Sequence, residues 1–152
     1  MSDTVFRAAR KDDLPWIVEL LADDPLGSSR EDASLPLDDR YAAAFDALSR
    51  DANQLMAVAE REGEVIGCLQ LSFIPGLTRK GAWRGQIEGV RIAAAYRGKG
   101  FGRAFFDWAI GQCRDRNCTL VQLSTDLTRP EAKRFYESLG FEASHVGMKL
   151  VF

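Results

Sequence analysis

Apolar positions along the chain recur with two periods, and the changes between them mark the elements. Residues 4–8 (TVFRA) alternate as a half-buried strand does. From 12 to 22 the period lengthens. Leu14, Ile17, Val18 and Leu21 fall at helical spacing, and acids and Pro15 occupy a first turn that tolerates both. Residues 23–37 form a loop punctuated by Pro25, Gly27 and Pro36, and 38–50 is a second helix with Tyr41, Ala44, Phe45 and Leu48 on one face. Strands follow at 55–59 and 65–73, joined by a hairpin-type connection at 60–64 with Gly63 where positive φ is needed. A loop at 75–82, carrying Arg79 and Lys80, leads to a strand at 84–93. The long helix at 101–116 places Phe101, Ala104, Phe105, Trp108 and Ala109 on one side. Asn117 is the C-cap before a strand at 119–124. A short helix at 131–139 ends at Gly140, and 141–151 is the last strand.

The order is β-α-α-β-β-β-α-β-α-β. Three consecutive strands followed by a β-α-β crossover argue an α/β fold, with a mixed, mostly antiparallel sheet and helices on both faces. No repeat, low-complexity tract or linker divides residues 1–152, so a single domain is expected.

Composition narrows the class. Hydrophobic residues make up 46% and charged residues 28%, as in a soluble globular protein, and no apolar run approaches the ~20 residues of a membrane span. The N-terminal stretch lacks an apolar signal core, so a cytoplasmic protein is expected. Cys68, Cys113 and Cys118 form no C-x-x-C pair. With one histidine, there is little material for a metal site or a Cys/His nucleophile, and no metal is expected. Charge is uneven: residues 1–51 hold 12 acids against 6 bases, net −6, and the remainder 10 against 14, net +4. That split suits a polyanionic cofactor at one site and a cationic substrate at another; two solvated faces are the alternative. No basic stripe with interleaved aromatics points to nucleic acid.

Candidate chemistry concentrates where the strand at 84–93 becomes the long helix. Arg97, Gly98, Lys99, Gly100, Phe101, Gly102 and Arg103 set three glycines among three cations. A helix N-terminus offers unpaired N–H groups and a positive dipole end, and glycines allow a phosphate close approach, so the stretch reads as a pyrophosphate cradle. A glycine-rich turn with solvated charges is the alternative. The dinucleotide pattern G-x-G-x-x-G fails, because Arg103 or Phe105 stands at its third glycine. The P-loop fails because Gly100 follows Lys99. Arg/Gln-x-x-Gly-x-Gly/Ala does fit, through Arg97, Gly100 and Gly102. A later block, residues 132–141 (AKRFYESLGF), fits A-x-x-Phe/Leu-Tyr-x-x-x-Gly-Phe. In this order and spacing the two blocks resemble the GNAT superfamily of N-acetyltransferases. The resemblance is specific from about Glu88 to Phe141, and the family's element order matches the one read from periodicity.

The resemblance implies acetyl-CoA as acyl donor. It places Tyr136 beside the sulfur of CoA as general acid, with a plain core aromatic as the alternative. It also implies that the strand ending at Ile92 splays from its neighbour, leaving backbone groups of Val90, Arg91 and Ile92 for the pantetheine arm. Ala94 stands where many relatives have proline. Glu88 is the candidate general base: alternation puts Glu88, Val90 and Ile92 on one strand face, and a charge within an apolar strand suggests a cleft. An arginine ion pair is its competing explanation. Arg129 replaces an asparagine common in the family, and either reaches the cofactor or points to solvent. Ser124, Thr125 and Asp126 touch substrate or cap a turn. His145 is titratable near neutrality, but a lone strand histidine is more often structural.

The expected function is transfer of an acetyl group to a primary amine by direct attack in a ternary complex. A non-catalytic acyl-CoA-binding or sensing domain is the alternative. The acceptor, a small molecule or peptide amine, would be selected by residues 22–51 and 75–82. The acids of the first segment favour a small cationic amine. By resemblance alone, the final strand implies a homodimer.

Overall fold

A computed structural model describes residues 3–152 of the chain. Five strands form one sheet in sequence order: β1 (Thr4–Ala8), β2 (Gln54–Arg61), β3 (Glu64–Ile74), β4 (Trp83–Ile92) and β5 (Cys118–Gln122). The first four pair antiparallel, and β4 and β5 pair parallel. The parallel pair requires a crossover, which the helix between β4 and β5 supplies.

Among the described residues, four helices of nine or more residues cover the sheet: α1 (Leu14–Ala22), α2 (Asp39–Arg50), α3 (Phe101–Asp115) and α4 (Pro130–Ser138). Pro15 and Pro130 lie in first turns, and Asp38 caps α2 by accepting the Arg40 amide at 2.9 Å. On one face of the sheet Ile17 and Leu20 of α1 pack with Val58 and Cys68. On the other, Phe105, Phe106 and Ala109 of α3 are fully buried against Leu69, Leu71, Phe73 and Ile87. Each such phenylalanine contributes about 1.5–3 kcal/mol on burial. Phe6 of β1 extends this core by stacking on Phe105 at 5.1 Å.

The start of α1 is tied to the sheet by charge. Asp13 closes a 3₁₀ turn (Lys11–Asp13), accepting the Arg10 amide at 2.7 Å and two bonds from Arg7, at 2.7 and 3.1 Å; Arg7 also donates to Glu60 at 2.8 Å. The Arg7 guanidinium outweighs burial and holds the Asp13 carboxyl below the usual carboxylate range.

One sequence expectation needs correction. The last strand expected at 141–151 is not part of this chain's sheet; residues 142–152 are exposed and carry no strand pairing. Strand periodicity there is real, but alternation specifies a face and not the edge that will pair with it.

Candidate active site

The site begins where two paired strands part. Pairing of β4 with β5 stops at Gln86 and Gln122, whereas β4 runs on along β3 until Ile92 meets Gly67. The β4 edge from Ile87 to Ile92 is therefore without a strand partner on the β5 side. Within this stretch the β3–β4 register slips: Cys68 faces Arg91 but Gln70 faces Glu88, so Gly89 and Val90 oppose Leu69 alone. Gly89 has φ +64, a conformation open to glycine at little cost, and the result is a β-bulge.

The bulge overturns one expectation. Glu88 does not share a face with Val90 and Ile92, because the extra residue shifts the alternation. Ile87, Val90 and Ile92 pack toward α3, while Glu88 and Arg91 pair with Gln70 and Cys68 on the side of α1. Glu88 is exposed. Gln122 donates to Gln86 at 2.9 Å, and Gln86 donates to Glu88 at 3.0 Å. Gln54, accepting from Gln70 and Ser72, continues this polar strip on β2 and β3. The glutamines went unread in the sequence, although the same alternation that exposed Glu88 carries Gln86, Gln70 and Ser72.

At the end of β4, residues 93–100 lead into α3. Gly100 is the N-cap, at φ +89 and with no side-chain cap. Ala104 donates to the Gly100 carbonyl, so the amides of Phe101, Gly102 and Arg103 precede the helical ladder. A Cβ on Gly102 would lie 3.7 Å from Phe135 and 3.8 Å from Ile92, which explains why glycine or alanine suits this position. The three cations divide their work. Arg97 donates to the Ile92 carbonyl at 2.9 Å and approaches Asp23, and Lys99 donates to the Ala95 carbonyl at 2.9 Å. Both brace the loop, whereas Arg103 stands exposed on the first turn of α3. Gly98, at φ +72, has no atom within 4 Å of where its Cβ would be.

Tyr136 projects from α4 into an aromatic group, with ring centroids 5.5 Å from Phe106 and 5.7 Å from Phe135. Burial raises its pKa above the usual tyrosine value, and the nearby Arg129 and Arg91 only partly oppose that. The hydroxyl therefore keeps its proton at neutral pH. Phe135 fills the T-shaped packing position over Phe106 that the late block requires.

Arg129, one-third exposed, lies beside a buried carboxylate. Its Nη2 lies 3.7 Å from Asp24 Oδ2, which also meets Arg91 Nε at 2.7 Å. The shorter approach is off-axis for a hydrogen bond, so the pairing there is by charge. Asp24 is buried, which alone would raise its pKa; the Gly27 amide, Arg91 and Arg129 overcome this and hold it low. Because Asp24 follows α1 and Arg129 begins α4, this group spans the gap where β5 has left β4. It carries one carboxylate for two guanidiniums. Asp126 accepts from Thr128 at its amide and hydroxyl, so its carboxylate closes a turn. His145 lies in the exposed segment after α4, against Ser144.

The acids expected to attract a cationic acceptor are largely engaged elsewhere. Asp32 accepts from Ser34, Asp38 from Arg40 and Glu31 from the Tyr41 hydroxyl. Among the described residues no helix is long and apolar enough to cross a membrane.

A sheet split beside an uncapped helix N-terminus defines the class, and comparison with known proteins agrees. The chain matches the acetyltransferase (GNAT) family over residues 17–141 and belongs to it. It is 33% identical over 101 residues to the aminoalkylphosphonate N-acetyltransferase of Salmonella typhimurium, a match spanning 66% of this chain and 65% of that protein. It is 36% identical over 89 residues to the glucosamine 6-phosphate N-acetyltransferase of Trypanosoma brucei brucei, spanning 58% of each. A solved Bacillus halodurans C-125 protein described as a transcriptional regulator superposes with TM-score 0.95 at 46% identity, over 98% of this chain and 99% of that one.

Proposed function

We propose that this protein moves an acetyl group from acetyl-CoA to the primary amine of a small molecule, by direct attack within a ternary complex. The observation that carries this reading is the unpaired β4 edge from Ile87 to Ile92, running directly into the uncapped N-terminus of α3. Acetyl-CoA, when bound, supplies a thioester activated toward amines. The amides of Phe101, Gly102 and Arg103, with the charges of Arg97, Lys99 and Arg103, would hold its pyrophosphate, which suits a helix N-terminus. Gly98 and Gly100 leave the approach clear of side chains. Backbone groups of Val90, Arg91 and Ile92 would hold the pantetheine arm in the manner of an added strand. Tyr136 holds a proton at its hydroxyl for the departing sulfur. Glu88, positioned by Gln86, takes the amine proton through water.

For the acceptor, the Asp24–Arg91–Arg129 group favours a small amine that carries its own anion. Its surplus of one positive charge lies beside Tyr136, and both enzymes matched above are named for amines bearing phosphonate or phosphate. The test is CoA release with an acceptor panel: 2-aminoethylphosphonate, glucosamine 6-phosphate, lysine and spermidine. Turnover on an anionic amine above that on spermidine is expected, and the reverse order would sink the acceptor assignment. A second reading, an acyl-CoA sensor without turnover, is favoured by the regulator described from Bacillus halodurans. Micromolar CoA binding with no release on any amine would select it.

A further inference from the structure

The face of the sheet that α1 covers changes character along its strands. Val58 and Cys68 are fully buried and pack with Ile17 and Leu20 of α1. Further along the same face, a polar row crosses four strands. Gln54 of β2 pairs with Ser72 of β3, Gln70 of β3 with Glu88 of β4, Ser72 with Gln86 of β4, and Gln86 with Gln122 of β5. Polar groups set against a sheet are costly unless their hydrogen bonds are made, so the destination of each bond matters.

Two short hydrogen-bond chains run through this row. In one, the Ser72 hydroxyl donates to Gln54 Oε1 at 2.9 Å, and Gln70 Nε2 donates to the same oxygen at 3.1 Å. In the other, Gln122 Nε2 donates to Gln86 Oε1 at 2.9 Å, and Gln86 Nε2 donates to Glu88 Oε2 at 3.0 Å. The first chain engages the Gln70 amide nitrogen and leaves its carbonyl oxygen as the free end. The second ends on a carboxylate. Gln70 and Glu88 are direct cross-strand partners, a placement that sets Cβ atoms roughly 4.5–5.5 Å apart. Both chains therefore finish in acceptors on neighbouring strands. Among the described residues no donor reaches Gln70 Oε1 or Glu88 Oε1. Gln70 is half-buried and Glu88 exposed, so the pair opens outward. Two free acceptors with no donor between them suit a group that brings N–H bonds.

We propose that Gln70 holds the primary amine of the acceptor. Its Oε1 accepts one N–H, Glu88 takes the other through water, and the nitrogen lone pair is left for the thioester. The assignment rests on the acetyl-transfer reading above and names the residue that selects the nucleophile. A neutral primary amine has two N–H bonds and satisfies both acceptors. An alcohol or a neutral secondary amine has one such bond, leaves an acceptor unpaired, and is disfavoured. Gln54 is a positioning residue, which acts by holding the Gln70 amide with its oxygen free.

Isotope-edited NMR of the Gln70 side-chain amide reads this contact without turnover. With CoA present, 2-aminoethylphosphonate is expected to shift the Gln70 Nε2 protons. Ethylphosphonate, which has the anion without the amine, is expected to leave them in place. Gln70→Leu removes the oxygen at similar size. It is expected to raise the amine's KM, and its Kd by calorimetry, about tenfold, with the KM for acetyl-CoA within about twofold and the circular dichroism unchanged. Gln54→Met frees Gln70 to turn and is expected to give a smaller rise in the amine's KM. Gln54→Glu keeps acceptors for both Gln70 and Ser72 and is expected to reverse that rise. A Gln70 amide that no amine of the panel shifts, or that ethylphosphonate shifts equally, would overturn the assignment. So would an amine KM and Kd unmoved in Gln70→Leu, or a Gln54→Glu chain as impaired as Gln54→Met. A chain whose Gln70 amide answers the amine, yet which releases no CoA, would uphold the amine site and overturn acetyl transfer instead.

Discussion

Tyr136 and Glu88 approach the split from opposite faces of the sheet, and the roles proposed for them rest on different environments. Buried among rings, Tyr136 is held neutral. Tyr136→Phe is expected to lower kcat about 100-fold, in the range for loss of a general acid, with KM for acetyl-CoA within about twofold. The sign of its pH effect follows from the raised pKa: the donor is intact below the folded value and lost as pH rises through it. Any alkaline limb due to Tyr136 should thus lie above ~10, and be absent in Tyr136→Phe. Glu88 depends on neighbours, since Gln122 orients Gln86 and Gln86 orients Glu88. Glu88→Gln is expected to depress kcat on the best amine and to steepen its dependence on pH. Gln86→Ala should give a smaller loss of the same kind, measured as kcat against pH, with KM for acetyl-CoA unchanged.

At the scale of elements, two glycines and one aspartate do most to shape the site. Gly100→Ala forces a side chain into the left-handed conformation that ends the loop and begins α3. A stability loss of about 1–2 kcal/mol in urea unfolding is expected, with weaker acetyl-CoA binding by calorimetry. Gly89 permits the bulge that turns Glu88 away from Val90 and Ile92. Asp13 couples α1 to β1 and β2 through Arg7. Asp13→Ala removes one partner of a largely buried ion pair and is expected to cost about 3 kcal/mol at pH 7. Because the Asp13 pKa is lowered on folding, its contribution is full above the unfolded value near 4 and is lost as pH falls through the lower folded value. The difference between wild type and variant should be constant from pH 8 to 5 and should shrink below ~4. Up to α4, element positions were legible in the sequence to within a few residues, since periodicity reports which face is apolar. The bulge was not, because glycine in a strand marks a bulge or a close approach equally well, and only the β3 register chooses between them.

Across the whole molecule, charge segregation matters less as a map of substrate than it first suggests. Several acids of residues 1–51 are tied into caps, turns and ion pairs, while exposed Arg103 remains at the start of α3. KM for acetyl-CoA is expected to rise several-fold between 0.05 and 0.5 M salt with kcat nearly unmoved, as screening weakens exposed cation–phosphate attraction. By itself the sequence determined the family, the order of elements as far as α4 and the glycine-rich turn that opens α3, because these depend on local spacing and on side chains acting within one turn or one strand. Folding alone decided which residues meet. It turned Glu88 to the α1 face, delivered Arg129 to Asp24 across the gap left by β5, and left residues 142–152 without a partner in their own chain. Each of these depends on register or on contacts between residues far apart in sequence, and neither is encoded in the period of a single segment.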